Sequence, residues 1–320
     1  TQTSILPFTV LGGFLGSGKT TLLNRLLNLT KDTRYAVLVN DFGELNIDER
    51  LITAHDGETI ALANGCMCCS MADGFVSALT AVMERADQFD QMIVEASGVS
   101  NPGRIMDIAK LDPGLSPNGA IVLIDASQFL NQLNDSLIKD AVVTQVKEAD
   151  ILLINKAHLT DQSTLETIKE TLDTQNSDCT TLINDRPVVD PGPLFGSIDT
   201  AILKRRETLA LVDKKGTAEH DHDHTHDQFH SCVLRQIKPI DRSTFESWAT
   251  TLPPSVIRGK GLISFTESPH QQWIWQKVGR TYELESSSGT SGQPSMVVLI
   301  GTKEMPVESD PAIYGPFINQ

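Results

Sequence analysis

The strongest chemical signal in the sequence is the run GFLGSGKT, from Gly13 to Thr20. It matches the pattern G-x-x-x-x-G-K-[ST], in which backbone N–H groups of a glycine-rich loop cradle phosphate oxygens. We expect Lys19 to reach the β- and γ-phosphates and the Thr20 hydroxyl to ligate Mg²⁺. The residues predicted to bind the nucleotide are Gly13, Gly16, Ser17, Gly18, Lys19, Thr20 and Thr21. A glycine-rich turn that merely starts a helix is the alternative, and the lysine, the threonine and the flanking patterns argue against it.

Such a loop needs an acidic partner at the end of a nearby strand. QMIVEASG places Glu95 at the end of an apolar run and Gly98 three residues later. We expect the Glu95 carboxylate to face the Mg²⁺ ion and the attacking water, and a Gly98 N–H to contact the γ-phosphate. Asp125, at the end of GAIVLIDA, is the rival, because ligands of open α/β sheets bind at the carboxyl ends of strands. The E-x-x-G pattern favours Glu95 and a structural role for Asp125.

ILLINKAH contains Asn155 and Lys156, which match the start of the guanine-reading motif N-K-x-D. The position of the aspartate is held by His158, and Asp161 lies three residues further on. A neutral imidazole does not offer the two acceptors of a carboxylate. Either this pair binds the base with weakened guanine selectivity, or it is an ordinary polar strand end.

Three of the five cysteines, Cys66, Cys68 and Cys69, lie within four consecutive positions in GCMCC. On an irregular loop these thiolates can converge on one ion, and thiolates select Zn²⁺, Cu⁺ or Co²⁺ over Mg²⁺ and Ca²⁺. A redox trio and small buried hydrophobes are the alternatives; a disulfide between adjacent cysteines would be strained. Upstream, VNDFGELNID carries Asp41 and Glu44, further candidate metal ligands in a segment that would respond to the nucleotide.

The run EHDHDHTHDQFH, from residue 219 to residue 230, contains five of the eight histidines. Imidazoles interspersed with carboxylates bind Zn²⁺, Ni²⁺ and Co²⁺. On a polar connector they suit the capture of metal rather than a rigid site. The candidate ligands are His220, His222, His224 and His226.

The elements that must position these residues follow a repeated strand–helix pattern. Short apolar runs predict parallel strands buried on both faces: PFTVLGG, YAVLVN, QMIVEAS, GAIVLIDA and DILLINK. Amphipathic stretches between them predict helices: TTLLNRLLNL, SALTAVMERA, NPGRIMDIAK, AVVTQVKEA and STLETIKETLDT. We predict an α/β P-loop domain with a doubly wound, mostly parallel sheet over 1–200, a His-rich linker over 201–230, and a smaller α+β domain over 231–320.

The composition of the chain argues against nucleic acids and membranes as partners. A net charge of -15 argues against a general nucleic-acid binder, because phosphate neutralisation needs clustered Lys and Arg. No long apolar span or signal-peptide pattern is present, which predicts a cytoplasmic protein without membrane contact. The low, odd number of cysteines argues against a disulfide framework.

Taken in order, GFLGSGKTT, N-D-F-G-E, G-C-M-C-C, E-x-x-G and N-K resemble the CobW-type family of metallochaperone GTPases, which are similar in class to the urease and hydrogenase accessory GTPases. The likeness extends over the His-rich linker and the C-terminal part, with the Lys260-Gly261 pair. It implies GTP and Mg²⁺ as cofactors and the three clustered cysteines as ligands of the metal cargo, with the nucleotide state controlling their geometry. Many family members have Glu at the positions of Val39 and Asp41; Asp41 can still contact metal, whereas Val39 cannot.

Three hypotheses follow from this pattern. In the first, slow Mg²⁺-dependent GTP hydrolysis is coupled to delivery of a transition metal, zinc before cobalt or nickel, to a client protein. In the second, the chain is a passive zinc store or sensor with a structural nucleotide site. In the third, it is a P-loop phosphotransferase, which would leave the cysteines unexplained. The oligomeric state is left open, with a homodimer as one form.

Overall fold

The computed structural model describes residues 5–29, 33–39, 59–61, 71–184, 189–196, 229–236, 238–287, 295–306 and 310–317. The first part of the chain contains seven strands: β1 (Leu6–Gly13), β2 (Tyr35–Val39), β3 (Thr59–Ala61), β4 (Gln91–Glu95), β5 (Leu115–Asp125), β6 (Ile151–Asn155) and β7 (Thr180–Asn184). These strands are parallel and form one sheet in the order β3-β2-β4-β1-β5-β6-β7.

Helices connect these strands, and several begin at side chains that cap them. The helices are α1 (Lys19–Leu29), α2 (Met71–Met83), α3 (Pro102–Leu111), α4 (Phe129–Asn134), α5 (Lys139–Lys147), α6 (Gln162–Gln175) and α7 (Pro191–Phe195). Asn101 accepts hydrogen bonds from two backbone N–H groups at the start of α3, and Asp161 accepts one at the start of α6. Such caps satisfy donors that have no partner inside the helix.

Apolar side chains of the first sheet alternate between two cores, one on each face. Phe8 and Val10 pack with residues of α2 and α3, whereas Leu11 packs with α1 and α7. Burial on both faces explains why the strand sequences are uniformly apolar rather than alternating. The alternation fixes the orientation of β1 and therefore of the loop that follows it.

The last part of the chain contains the strands β8 (Phe229–Arg235), β9 (Val256–Phe265), β10 (Ser268–Val278), β11 (Thr281–Ser286) and β12 (Met296–Thr302) and the helices α8 (Arg242–Thr251) and α9 (Pro311–Tyr314). The strands form an antiparallel sheet in the order β11-β10-β9-β12-β8. Helix α8 packs on this sheet through Phe245 and Trp248, whose rings contact the fully buried Trp275.

The predicted fold class, an α/β P-loop sheet followed by a smaller α+β unit, is confirmed. Strand β8 begins at Phe229, two residues before the predicted start of the C-terminal domain. Residues 197–228, which include most of the predicted linker, lie outside the described residues. The three-part division therefore stays a prediction. No helix in the described ranges is both long and apolar enough to cross a membrane.

The two sheets share a buried apolar contact that is reinforced by polar bonds. Ile257, Val278 and Ile300 of the second sheet belong to the same core cluster as Leu194 and Phe195 of the first unit. The guanidinium group of Arg258, 3% exposed, donates to the Leu194 carbonyl and to both oxygens of Asn118. Burial lowers the pKa of Arg258 to about 9, with Asp150 opposing the shift.

A second buried cation, Lys277, donates to the carbonyl of Gly279. Burial lowers its pKa to about 8, below the ordinary 10.5, and Asp150 opposes the shift. Because the unfolded chain binds this proton more tightly, the wild-type free energy of unfolding rises with pH from about 8 to about 10.5 through this group. We predict that Lys277→Met is stabilised relative to the wild type at neutral pH, and that this advantage shrinks by about 2 kcal/mol between about pH 7 and about pH 10.

Urea unfolding of both chains across that pH range checks this prediction. The control is Lys303→Met, which removes an exposed lysine of the same unit. A pH-independent difference between Lys277→Met and the wild type would contradict it.

Candidate nucleotide-binding site

The run from Gly13 to Lys19 forms a tight loop between β1 and α1. Gly13, Gly16 and Gly18 have φ angles of 133°, 77° and 101°, in the region that favours glycine. A methyl group at Gly13 would lie 2.6 Å from the Leu123 carbonyl oxygen. The loop thus has the conformation and the strand–loop–helix context that the phosphate-binding pattern requires.

The Lys19 side chain lies inside this loop. It is 8% exposed, and its ammonium group donates to the carbonyl of Gly13 at 2.9 Å and to that of Phe14 at 3.4 Å. Ser17 is also buried, and its hydroxyl has no hydrogen-bond partner in the described part of the chain. Thr21 is exposed in the first turn of α1. A cation and an unpartnered hydroxyl inside a loop of glycines suit an anionic ligand.

The hydroxyl of Thr20 donates to the carboxylate of Glu95 at 3.0 Å. Glu95 is 3% exposed and ends β4, the strand beside β1. Hydroxyl and carboxylate oxygens are the hard donors that Mg²⁺ takes, and Mg²⁺ usually keeps several waters and the phosphates as its other ligands. The two residues therefore fit the implied ion, and the sequence-predicted pair is adjacent in the structure.

The segment after Glu95 crosses the phosphate loop. A methyl group at Gly98 would lie 2.7 Å from the Leu15 backbone nitrogen, so only a glycine lets the two backbones approach this closely. Gln145 of α5 donates to the carbonyls of Gly98 and Ser100 at 2.9 and 3.0 Å. Sequence reasoning missed Gln145, although a polar residue on the apolar stripe of a helix was the available signal.

Asn155 and Lys156 both contact the phosphate loop. The Asn155 amide donates to the Ser17 carbonyl at 2.7 Å and accepts from Asn184 at 2.8 Å. Lys156 has a left-handed backbone, with φ 59°, and its ammonium group donates to the Gly16 carbonyl at 2.6 Å. These bonds show that the pair is more than a polar strand end. Asn184, at the end of β7, is a further residue that sequence reasoning missed.

Asp125 accepts from Lys156 at 2.7 Å with one oxygen and from the backbone and hydroxyl of Ser127 with the other. Burial raises its pKa, but the bonds from Lys156 and Ser127 outweigh this effect, so the pKa lies below the ordinary value. Asp125 thus positions Lys156, whereas Glu95 lies beside Thr20. His158 is exposed in a turn of 3-10 helix, and Asp161 is occupied as the cap of α6.

We predict that Asp125→Asn lowers the affinity for the nucleotide about tenfold, because Lys156 loses the carboxylate that holds it against the loop. Titration with a fluorescent GDP analogue measures this change. Asp107→Asn is the control, since Asp107 pairs with Lys110 at 2.9 Å on the exposed face of α3. Equal affinities for the two variants would contradict the prediction.

The predicted transition-metal ligands lie outside the described residues: Asp41, Glu44, Cys66, Cys68, Cys69, His220, His222, His224 and His226. Within the described ranges, no group of three or more His, Cys, Asp or Glu residues has a metal-binding arrangement. Cys179 and Cys232 are buried and unbridged, and burial raises the pKa of Cys179 to about 12. Both of these cysteines lie in apolar cores.

The fold and this loop define the class of the protein as a P-loop nucleotide-binding protein. Residues 7–182 match the model of the CobW/HypB/UreG nucleotide-binding domain, and residues 229–309 match that of the cobalamin synthesis protein cobW C-terminal domain. The chain belongs to the CobW/HypB/UreG family, which confirms both the family resemblance and the prediction of a GTPase.

Curated relatives cover the chain to different extents. The zinc chaperone YjiA of Escherichia coli is 28% identical over 327 residues, 97% of this chain and 98% of that protein. The zinc chaperone CobW of a Sinorhizobium species is 25% identical, and the alignment covers 94% of this chain and 94% of that protein. The zinc-regulated GTPase metalloprotein activator 1 of Schizosaccharomyces pombe is 34% identical over 177 residues, and this chain spans only 43% of its length.

Solved structures with a similar fold include the Zn(II)-bound YjiA GTPase from Escherichia coli. That structure is 23% identical, covers 97% of this chain and 98% of its own, and superposes with a TM-score of 0.45.

Proposed function

We propose that this chain is a Mg²⁺-dependent GTPase that binds a transition metal, zinc first, and delivers it to a client protein. The observation that carries this proposal is the strand register beside the nucleotide loop. Val39 at the end of β2 pairs with Glu95, and Ala61 at the end of β3 pairs with Val39. The carboxyl ends of β2 and β3 therefore lie at the same side of the sheet as Glu95. The segment with Asp41 and Glu44 follows β2 in the chain, and the segment with the three clustered cysteines follows β3.

The residues of the loop have distinct roles in hydrolysis under this proposal. Lys19 stabilises charge on the β- and γ-phosphates, and Thr20 and Glu95 would hold the Mg²⁺ ion. When bound, Mg²⁺ supplies neutralisation of the charge that develops on the phosphate oxygens. Glu95 also orients the attacking water, and the Gly98 backbone N–H contacts the γ-phosphate. Turnover is slow, because neither an arginine finger nor a catalytic glutamine was evident in the sequence.

GTP is the proposed nucleotide. Asn155 and Lys156 lie at the loop with their side chains fixed by Ser17, Gly16 and Asp125. His158 does not supply the carboxylate of the usual guanine-reading motif, so selectivity for guanine has another source. The family membership and the relatives named as GTPases support guanine over adenine.

Zinc is the proposed cargo, with cobalt and nickel as the alternatives. Thiolates of Cys66, Cys68 and Cys69 suit zinc and cobalt, and the His-rich tract adds capacity to capture metal before it reaches them. Two relatives of almost the same length are named zinc chaperones, which supports zinc. A client protein follows from the proposed delivery. The cytoplasmic location and the homodimer stay predictions.

A release experiment tests the delivery step. The chain is loaded with one equivalent of Zn²⁺, and transfer to a chromophoric chelator is followed with GTP, with a non-hydrolysable GTP analogue and with GDP. We expect GTP hydrolysis to accelerate release about tenfold over the analogue, within the range of ordinary coupling energies. Lys19→Ala should abolish the acceleration. In a chain that also carries glutamine in place of His220, His222, His224 and His226, Cys66→Ser/Cys68→Ser should prevent loading. Equal release rates in all three nucleotide states would favour the passive zinc store instead.

A further inference from the structure

The segment from Ala96 to Asn101 is fixed at both ends by contacts independent of any nucleotide. The Ala96 N–H donates to the Leu11 carbonyl at 2.9 Å, which extends the pairing of β4 with β1. Asn101 caps α3 at the other end. Between them, the Ser100 N–H donates to the Ser97 carbonyl at 3.0 Å, and the two serine hydroxyls are 2.8 Å apart. The part of this segment that lies on the phosphate loop is Gly98.

Gln145 holds the middle of this segment from the opposite side. Its side chain is 2% exposed, and its amide uses both hydrogens, one for the Gly98 carbonyl and one for the Ser100 carbonyl. The two bonds flank Val99, which is exposed. Because the Gly98 carbonyl lies in the planar peptide group between Gly98 and Val99, the bond to this carbonyl fixes the orientation of that plane and so restricts the ψ angle of Gly98. The conformation around Gly98 thus depends on a side chain from α5.

We propose that Gln145 is a positioning residue for the GTPase reaction, and that it holds Gly98 where its backbone contacts the terminal phosphate of the nucleotide. The inference rests on the proposed role of Gly98. Without the amide, the carbonyls of Gly98 and Ser100 lose the two hydrogen bonds that tie them to α5, and the segment can shift away from its present position. Such a movement affects a triphosphate but leaves the diphosphate contacts of the loop in place.

The test replaces Gln145 by methionine, which has a similar length and no donor. We expect kcat to fall at least about tenfold, since small misplacements in a reacting site are costly. We expect the affinity for a non-hydrolysable GTP analogue to fall about tenfold while the affinity for GDP stays within about threefold. Gln145→Asn keeps the amide but withdraws it by one methylene group, so it should show the same loss of selectivity for the triphosphate. It replaces the methionine variant in this test if that variant does not fold.

Gln91→Met is the matched control. Gln91 is 4% exposed, and its amide also donates two buried hydrogen bonds, to the Thr9 hydroxyl and the Phe195 carbonyl. It begins β4, whereas the nucleotide loop lies at the other end of that strand. We expect a similar loss of melting temperature and an unchanged ratio of GTP-analogue to GDP affinity.

Gly98→Ala, measured in parallel, separates the two proposals. If Gly98→Ala lowers the affinity ratio and Gln145→Met leaves it unchanged, the role of Gln145 is overturned and that of Gly98 stands. If neither changes the ratio, both are overturned. If Gln91→Met lowers kcat and the ratio as far as Gln145→Met does, the effect is general destabilisation and the positioning role is refuted.

Discussion

Thr20→Val is expected to lower the rate of Mg²⁺-dependent GTP hydrolysis about a thousandfold, which corresponds to about 4 kcal/mol of transition-state stabilisation. The change removes the hydroxyl that lies 3.0 Å from the Glu95 carboxylate and keeps the branched shape of the side chain. With one hard oxygen ligand gone, the ion is bound more weakly and the charge on the phosphates is less well neutralised. Steady-state hydrolysis across a range of Mg²⁺ concentrations measures both effects.

Thr20→Ser is the matched control, because it keeps the hydroxyl and loses only a methyl group. It should retain most of the activity and a near-normal Mg²⁺ requirement. If the valine variant hydrolyses GTP within about tenfold of the serine variant and needs no higher Mg²⁺ concentration for half-maximal activity, Thr20 is not a ligand of the ion.

Arg258→Met is expected to have the largest effect on folding, a loss of about 3 kcal/mol in the free energy of unfolding. The guanidinium group supplies hydrogen bonds to the Leu194 carbonyl and to both oxygens of Asn118, at the buried contact between the two sheets. Methionine fills a similar volume but leaves these acceptors without a donor. Removal of the buried charge itself offsets part of the cost, since burial already disfavours the charged form.

Urea denaturation provides the measurement, with Arg34→Met as the control. Arg34 makes a two-pronged contact with Asp90, but its side chain is 54% exposed. Exposed ion pairs contribute little, so this variant should unfold close to the wild-type midpoint. Equal losses of unfolding free energy in the two arginine variants would show that the buried position of Arg258 between the sheets does not account for its contribution to stability.

The fold was largely predictable because burial on both faces leaves a strong imprint on sequence. The five apolar runs correspond to β1, β2, β4, β5 and β6. The sequence analysis missed β3 and β7, which lie at the two edges of the sheet. Edge strands are short and need fewer apolar residues than central strands. Strand β9 begins at Val256, and its first half carries Arg258 to the contact between the units.

Local motifs predicted the phosphate loop and its neighbour Glu95, because short backbone geometry demands particular residues at fixed spacing. The supporting contacts were missed because each joins residues far apart in the chain. Gln145 bonds to Gly98, 47 positions away, and Asn184 bonds to Asn155, 29 positions away. Asp125 was expected at a strand end, but its pairing with Lys156 was not predicted, since pairing depends on which strands become neighbours.

A competition titration measures whether the nucleotide state controls the affinity of the cysteine motif for metal. Zn²⁺ and Co²⁺ are titrated against a chromophoric chelator with Mg²⁺ plus a non-hydrolysable GTP analogue, with GDP, and without nucleotide. The full chain carries glutamine in place of His220, His222, His224 and His226, so that only the cysteine motif is observed. We predict a tight one-to-one site with the triphosphate alone, lost in Cys66→Ala or Cys68→Ala. Equal affinity in all three states would contradict this coupling and leave a metal buffer beside an unrelated GTPase.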